Sequence, residues 1–124
     1  MQIARFPVFA LVASFLIAPV QAHAEFAAVA YNQNTNNMGY TWGRDTQEEA
    51  NERALATCKR YSHSVAGCEI VVETTQCFAI FRYEGKDHWA EGASHSKAKK
   101  TASAECREKF GAKCRRVTSK CANQ

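Results

Sequence analysis

Residues 46–58 read TQEEANERALATC, and residues 94–106 read SHSKAKKTASAEC. Laid over each other at an offset of 48, they place Ala50 on Ala98, Ala54 on Ala102 and Cys58 on Cys106. Spacing by four puts each trio on one face of a helix. Side chains this small on that face let the helix backbone lie close to a sheet. Each stretch opens on a residue whose hydroxyl can accept from the unpaired amides of a first turn, Thr46 in one and Ser94 in the other. Glu49, three residues after Thr46, completes a capping box. The second helix, from Ser94 to about Phe110, carries the poorer helix formers Thr101 and Ser103 and is the weaker of the two.

The correspondence extends in both directions. Upstream, Ala27-Ala28-Val29-Ala30-Tyr31 falls on Phe78-Ala79-Ile80-Phe81-Arg82. Trp42-Gly43 and Trp89-Ala90 each stand just before a helix, with a slip of one residue between the copies. Downstream, Cys68 falls on Cys114 and Cys77 on Cys121, the loops of the second copy being two residues shorter at each step. Each copy therefore reads as strand, turn, strand, helix, strand. The first has strands at Phe26–Tyr31, Tyr40–Arg44 and Cys68–Glu73, with a polar loop over Asn32–Gly39. The second has strands at Phe78–Tyr83, Trp89–Ala93 and Cys114–Ser119. The expected fold is α+β: two strand-strand-helix-strand repeats, 26–76 and 77–121, related by a pseudo-twofold axis within one domain over 25–124. The helices are expected on one side of antiparallel sheet.

Such a domain is small for a self-sufficient core, and its six cysteines, Cys58, Cys68, Cys77, Cys106, Cys114 and Cys121, read as a disulfide framework. The close C-x-x-C pairs typical of zinc sites and of disulfide exchange do not occur. Under the pseudo-twofold relation equivalent cysteines make equivalent bonds. The simplest solution joins Cys58 to Cys68 and Cys106 to Cys114. Cys77 and Cys121 are then left to staple one copy to the other.

A set of these residues resembles a known pattern. It comprises the A-x-A-Y run, the Gly/Trp strand, the helix of form T-x-E-E-A-x-x-x-A-L-x-x-C, and Gly67-Cys68-Glu69-Ile70-Val71-Val72. With the second copy that follows, it is similar to the bacterial secreted family called domain of unknown function 4189, over residues 26–121. The second copy departs from the pattern at Ala112-Lys113-Cys114, which lacks the Gly-Cys, and at Arg115-Arg116, which replace apolar strand positions. The resemblance implies export, cysteine bridges and the double unit; it implies no reaction.

The first 24 residues carry one charge, Arg5, then an apolar stretch from Phe6 to Val20, then Ala22-His23-Ala24. Charged start, apolar middle and small residues at a cleavage point make a secretory signal, with the mature chain expected to begin at Glu25. The run is too short for a membrane span, which needs about 20 apolar residues. The mature chain is expected to be exported, to periplasm or medium, with no transmembrane segment.

Charge is divided unequally. Residues 25–76 hold four Lys/Arg and seven Asp/Glu, a net of −3, whereas residues 77–124 hold eleven and five, a net of +6. The basic residues Lys97, Lys99, Lys100, Arg107, Arg115 and Arg116 are the candidate contact surface for an anionic partner, with Lys97, Lys100 and Arg107 able to share a helix face. The expected function is non-enzymatic binding of a macromolecule, a protein or an anionic envelope polymer, by a rigid bridged scaffold of inhibitor, immunity or host-contact type. The alternative is a small secreted hydrolase acting on an anionic polymer such as RNA, with His88, His95 and one of Lys97, Lys99 or Lys100 as its machinery. His63 lies in the loop between Cys58 and Cys68. No phosphate-binding glycine loop, serine elbow or metal-binding helix motif occurs, so no catalytic residue, metal or cofactor is assigned. Nucleic acid is a possible but not favoured partner. Trp42 and Trp89 are read either as an aromatic binding surface or as cover for the sheet.

Overall fold

A computed structural model describes residues 14–17 and 24–123. The expected signal segment therefore lies almost wholly outside the described residues. Eight elements follow: β1 (Phe26–Asn32), β2 (Asn37–Arg44), α1 (Gln47–Tyr61), β3 (Cys68–Thr74), β4 (Cys77–Tyr83), β5 (Lys86–Gly92), α2 (His95–Phe110) and β6 (Arg115–Cys121). This is the expected strand-strand-helix-strand plan, made twice.

Both helices start as their sequences require. The Thr46 hydroxyl accepts from the Glu49 amide at 3.1 Å, and that of Ser94 from the Lys97 amide at 3.2 Å. α2 ends on Gly111 at φ 69°, a left-handed position that favours glycine, with the Gly111 amide donating to the Arg107 carbonyl at 2.8 Å. Ala50, Ala54 and Cys58 on α1, and Ala98, Ala102 and Cys106 on α2, are all completely buried. The strands come so near these faces that a Cβ on Gly39 would collide with the backbone of α1, and one on Gly92 with the backbone of α2.

Each repeat makes its own three-stranded antiparallel sheet, in the orders β2-β1-β3 and β5-β4-β6. The third strand breaks register at the same place in both, between Val29 and Ala30 in one sheet and between Ile80 and Phe81 in the other. Val71 and Val117 are the extra residues at these bulges. Two sheets with one order and one shared irregularity support the pseudo-twofold relation.

Each helix packs on one side of its sheet, α1 over Ala28 and Ala30, α2 over Ala79 and Phe81. The other faces meet. Val29, Tyr31 and Val72 from the first sheet and Phe78 and Ile80 from the second form one shared core, closed at its rim by Trp42 and Trp89. The order of layers is helix, sheet, sheet, helix. There are thus two sheets, with the helices on opposite outer surfaces, because each strand alternates one row of side chains toward its helix and one toward the partner sheet. The two tryptophans cover the inter-sheet core.

The ladders correct two readings of the strands. β5 starts at Lys86, not at Trp89, and it contains His88. A two-residue turn, Glu84 at φ 49° and Gly85 at φ 75°, closes the β4–β5 hairpin tightly, so the polar Lys86-Asp87-His88 is drawn into the ladder. Likewise β2 starts at Asn37. The cross-strand partners are Tyr40 with Val29 and Trp89 with Ile80, so Tyr40 is the counterpart of Trp89. The one-residue slip is absorbed beyond it, where β1 and β2 shift register and Gly43 sits at φ 68°.

The bonds Cys58–Cys68, Cys106–Cys114 and Cys77–Cys121 are all present. The last does not join the copies. Cys77 and Cys121 are cross-strand partners on β4 and β6, inside the second sheet. Cys77 belongs to the first strand of repeat two rather than the end of repeat one, so the bond clasps that repeat to itself. The repeats are held to each other by the shared core and by a hydrogen bond from the Gly43 amide to the Ala122 carbonyl, 2.9 Å long.

Candidate anion-binding surface

α2 advances 100° per residue, so the trio facing the sheet fixes where its lysines stand. Lys97, Lys100 and Arg107 lie on the opposite, outward face and are exposed. Lys99 lies on a flank and is only half-buried. That flank faces β6. Together with Arg116, Val117, Thr118, Ser119 and Lys120 of β6, His95 and Lys99 line a groove of about 510 Å³. The bulge at Val117 lets Arg116 follow Phe81 onto the helix side of the sheet instead of turning inward. Arg115, also exposed, pairs across the ladder with Arg82 and stands outside the groove.

The six basic residues read from the sequence therefore divide. Lys99 and Arg116 meet in the groove; Lys97, Lys100 and Arg107 form a separate outward stripe; Arg115 stands apart. Lys120 was missed by the sequence reading. Its ammonium sits 4.5 Å from the centre of the Trp42 ring on the first repeat, an attraction of cation to π face. The only sequence signal for it was a lysine at the far end of a strand. Among the described residues no acidic side chain lines the groove, and α2 has none in its first turn, whereas α1 has Glu48 and Glu49. Positive charge at a helix start opposes the helix dipole, by about 0.3–1 kcal/mol per exposed residue.

Among the described residues the histidines do not converge. His88 is on β5, its Nε2 2.7 Å from Glu105 Oε2 of α2. His95 sits at the other edge of the same sheet, its Nδ1 2.8 Å from Ser119 Oγ. β4 lies between those strands, a separation of about 10 Å at the usual strand spacing. Exposed His63, at φ 49°, belongs to the α1–β3 loop in the first repeat. Among the described residues no group of three or more His, Cys, Asp and Glu side chains gathers as a metal site would require.

A second hollow, about 410 Å³, opens where the β1–β2 turn, the β4–β5 hairpin and the end of α2 come together. Beside it Asp87 is fully buried, both its carboxylate oxygens accepting from the Arg82 guanidinium at 2.6 and 3.0 Å. That hydrogen-bonded contact raises the affinity of Arg82 for its proton. The Tyr31 hydroxyl donates to Asn36 Oδ1 at 2.6 Å. Burial, and the nearby Asp87 charge, push its pKa up. The sequence reading singled out none of Tyr31, Asn36, Arg82 and Asp87 for a site, because these two local pairs, one in each repeat, come together only at the junction of the repeats.

Among the described residues no helix is long and apolar enough to cross a membrane. No curated protein matches the chain. The NMR structure of Rv1813c from Mycobacterium tuberculosis is similar, with a TM-score of 0.53 at 20% identity, over 98% of this chain and 96% of that one; at that identity the likeness is one of fold. The family model described as a domain of unknown function, DUF4189, matches residues 26–121. With that match spanning both repeats, the chain belongs to the DUF4189 family.

Proposed function

We propose that this chain is an exported, non-enzymatic binding protein that holds an anionic macromolecule against repeat two. The observation that carries the reading is the groove in which Lys99 and Arg116 meet without an acidic neighbour in the lining. The three disulfides suit an oxidising compartment. Phe15, Leu16 and Ile17 stand exposed instead of packing on the domain, which suits a leader segment that is cut away. Residues 1–24 are that leader in this reading, and the destination is the periplasm or the medium. Intact-mass measurement of the exported protein should show a chain starting at Glu25, six hydrogens lighter than its reduced form because three bridges are closed. Retention of residues 1–24 in the exported protein would overturn the leader reading.

Binding to the anionic partner should separate groove from stripe. Changing Lys99 and Arg116 to Glu should weaken binding about tenfold or more, equal to about 1.4 kcal/mol. Changing Lys97 and Lys100 to Glu should do less, because they stand on the outward face of α2, outside the groove, and their field is screened over about 8–10 Å near physiological salt. Neither pair should unfold the protein, and a Glu at position 97 suits the helix start better than Lys does. The control changes Glu48, Glu49 and Glu52 of α1 to Gln. Equal losses from the control and the groove variants would place the contact elsewhere.

One observation favours a second reading. The His95–Ser119 hydrogen bond lies within the cationic groove, and a hydroxyl held by a histidine is the pairing a hydrolase uses. Replacement of Ser119 by Ala distinguishes the two. Loss of turnover of an anionic polymer would favour hydrolysis, and unchanged binding with no turnover in either protein would favour the binding role.

A further inference from the structure

We propose that the hollow at the junction of the repeats is a binding site for an acidic saccharide, separate from the groove. It lies at the end of α2 that carries Lys109, and the groove lies near the end that carries Lys99. Ten residues of helix set these about 15 Å apart.

The lining of the hollow combines three kinds of chemistry. Trp89 and Phe110 supply partly exposed aromatic surface. Trp89 is held between neighbours, the Tyr31 ring 4.9 Å and the His88 ring 6.1 Å away, and Phe110 touches the Tyr83 ring at 5.7 Å and the Lys109 ammonium at 5.4 Å. The side-chain amides of Gln33 and Asn36 stand exposed on the β1–β2 turn. Lys86 and Lys109 add two ammonium groups from two different elements. Pyranose rings lay apolar C–H faces on indole and phenyl surfaces, hydroxyls pair with amides, and a ring carboxylate pairs with ammonium. The volume falls within the range of roughly 300–1,000 Å³ usual for small-molecule sites.

The sign of the field identifies the acid. Among the described residues Asp87 is the only carboxylate in the lining, and both its oxygens are already occupied by Arg82. No carboxylate among the described residues pairs with Lys86 or Lys109. The hollow is therefore net positive toward a ligand. It is also preformed, because Tyr31 locks the two repeats together there. The Tyr31 hydroxyl is bonded to Asn36 of its own repeat, and its ring lies 4.9 Å from that of Trp89 in the other. A site so ordered loses little freedom on binding.

The test is an NMR titration of the oxidised protein with a trimer of galacturonate, beside the same trimer fully methyl-esterified and beside adenosine monophosphate. Saturable shifts should concentrate on Trp89, Phe110, Lys86 and Lys109, and leave Ser119 and Arg116 of the groove in place. The ester should bind about tenfold more weakly, since charge-assisted hydrogen bonds are the ones lost. A Lys86→Gln, Lys109→Gln variant should weaken the acid trimer by a similar factor, leave the ester unchanged and keep the melting temperature. Equal binding of ester and acid, shifts confined to the groove, or binding of the nucleotide without the trimer would each overturn the proposal. The groove reading is tested separately, by its own variants at Lys99 and Arg116, which lie outside this hollow.

Discussion

Replacing Cys77 and Cys121 together by serine should lower the free energy of unfolding by about 4 kcal/mol, more than loss of either other bridge. The loops closed differ in length: the separations are 44 residues for Cys77–Cys121, 10 for Cys58–Cys68 and 8 for Cys106–Cys114. On the chain-entropy account the stabilisation grows with the logarithm of loop length, which gives about 4 kcal/mol for the long loop and about 2.5 kcal/mol for each short one. Both cysteines of the long bridge are also buried among the residues that α2 covers, so serine hydroxyls there would have to find partners. A domain of this size has about 5–15 kcal/mol in total, so the loss takes from about a quarter to about four-fifths of its stability. Urea denaturation of the three double-serine variants measures the order. If the long-loop variant is no weaker than the Cys106/Cys114 one, loop closure is not what that bridge contributes.

The other large effect is expected at the junction. Arg82→Ala should cost about 3–5 kcal/mol, the usual result of removing one member of a buried ion pair. The two partners are not equivalent. The side chain of Asp87 has no exposure, whereas that of Arg82 keeps 29%. Without Arg82 the carboxylate is stranded in the interior; without Asp87 the guanidinium can turn toward water. Asp87→Ala should therefore be the milder change, and Asp87→Asn milder still, because the amide keeps the shape and can pair with part of the guanidinium. Thermal melts of the three variants at neutral pH give the comparison. An Arg82→Ala protein as stable as Asp87→Ala would mean that water reaches the Asp87 carboxylate once its partner is gone.

What could be read from the chain before its fold depended on how local the signal was. The helices were legible because Ala50, Ala54, Cys58 and their counterparts repeat at the period of a helix, and their caps are residues of one chemical kind. The cysteine pairing was legible from equivalence between copies, although its meaning was not. To see that Cys77 and Cys121 share a sheet, one must know that β4 lies beside β6. The β5 start was illegible because Lys86, Asp87 and His88 look like loop by composition. They are held in the ladder by the turn at Glu84 and Gly85, whose left-handed backbone only the fold reveals. The candidate surface was half legible. Composition alone picks out Lys99 and Arg116, but their meeting depends on the bulge at Val117, which reverses the side on which Arg116 emerges. Lys120 reaches Trp42 across the two repeats, and no pattern within a single repeat encodes such a contact.

The connectivity of the bridges also sets a problem for the chain as it is made. Cysteines leave the synthetic machinery in the order 58, 68, 77, 106, 114, 121. An oxidant that joins each new thiol to the last free one would close Cys58–Cys68 correctly. It would then join Cys77 to Cys106, because the true partner of Cys77 emerges last. Repeat one can thus be oxidised in passing, while repeat two either waits, with Cys77 kept reduced until the C-terminal strand arrives, or is corrected by thiol–disulfide exchange. Yield of the native protein in an oxidising compartment should accordingly be governed by isomerase supply, and the trapped error to look for carries its wrong bond at Cys77.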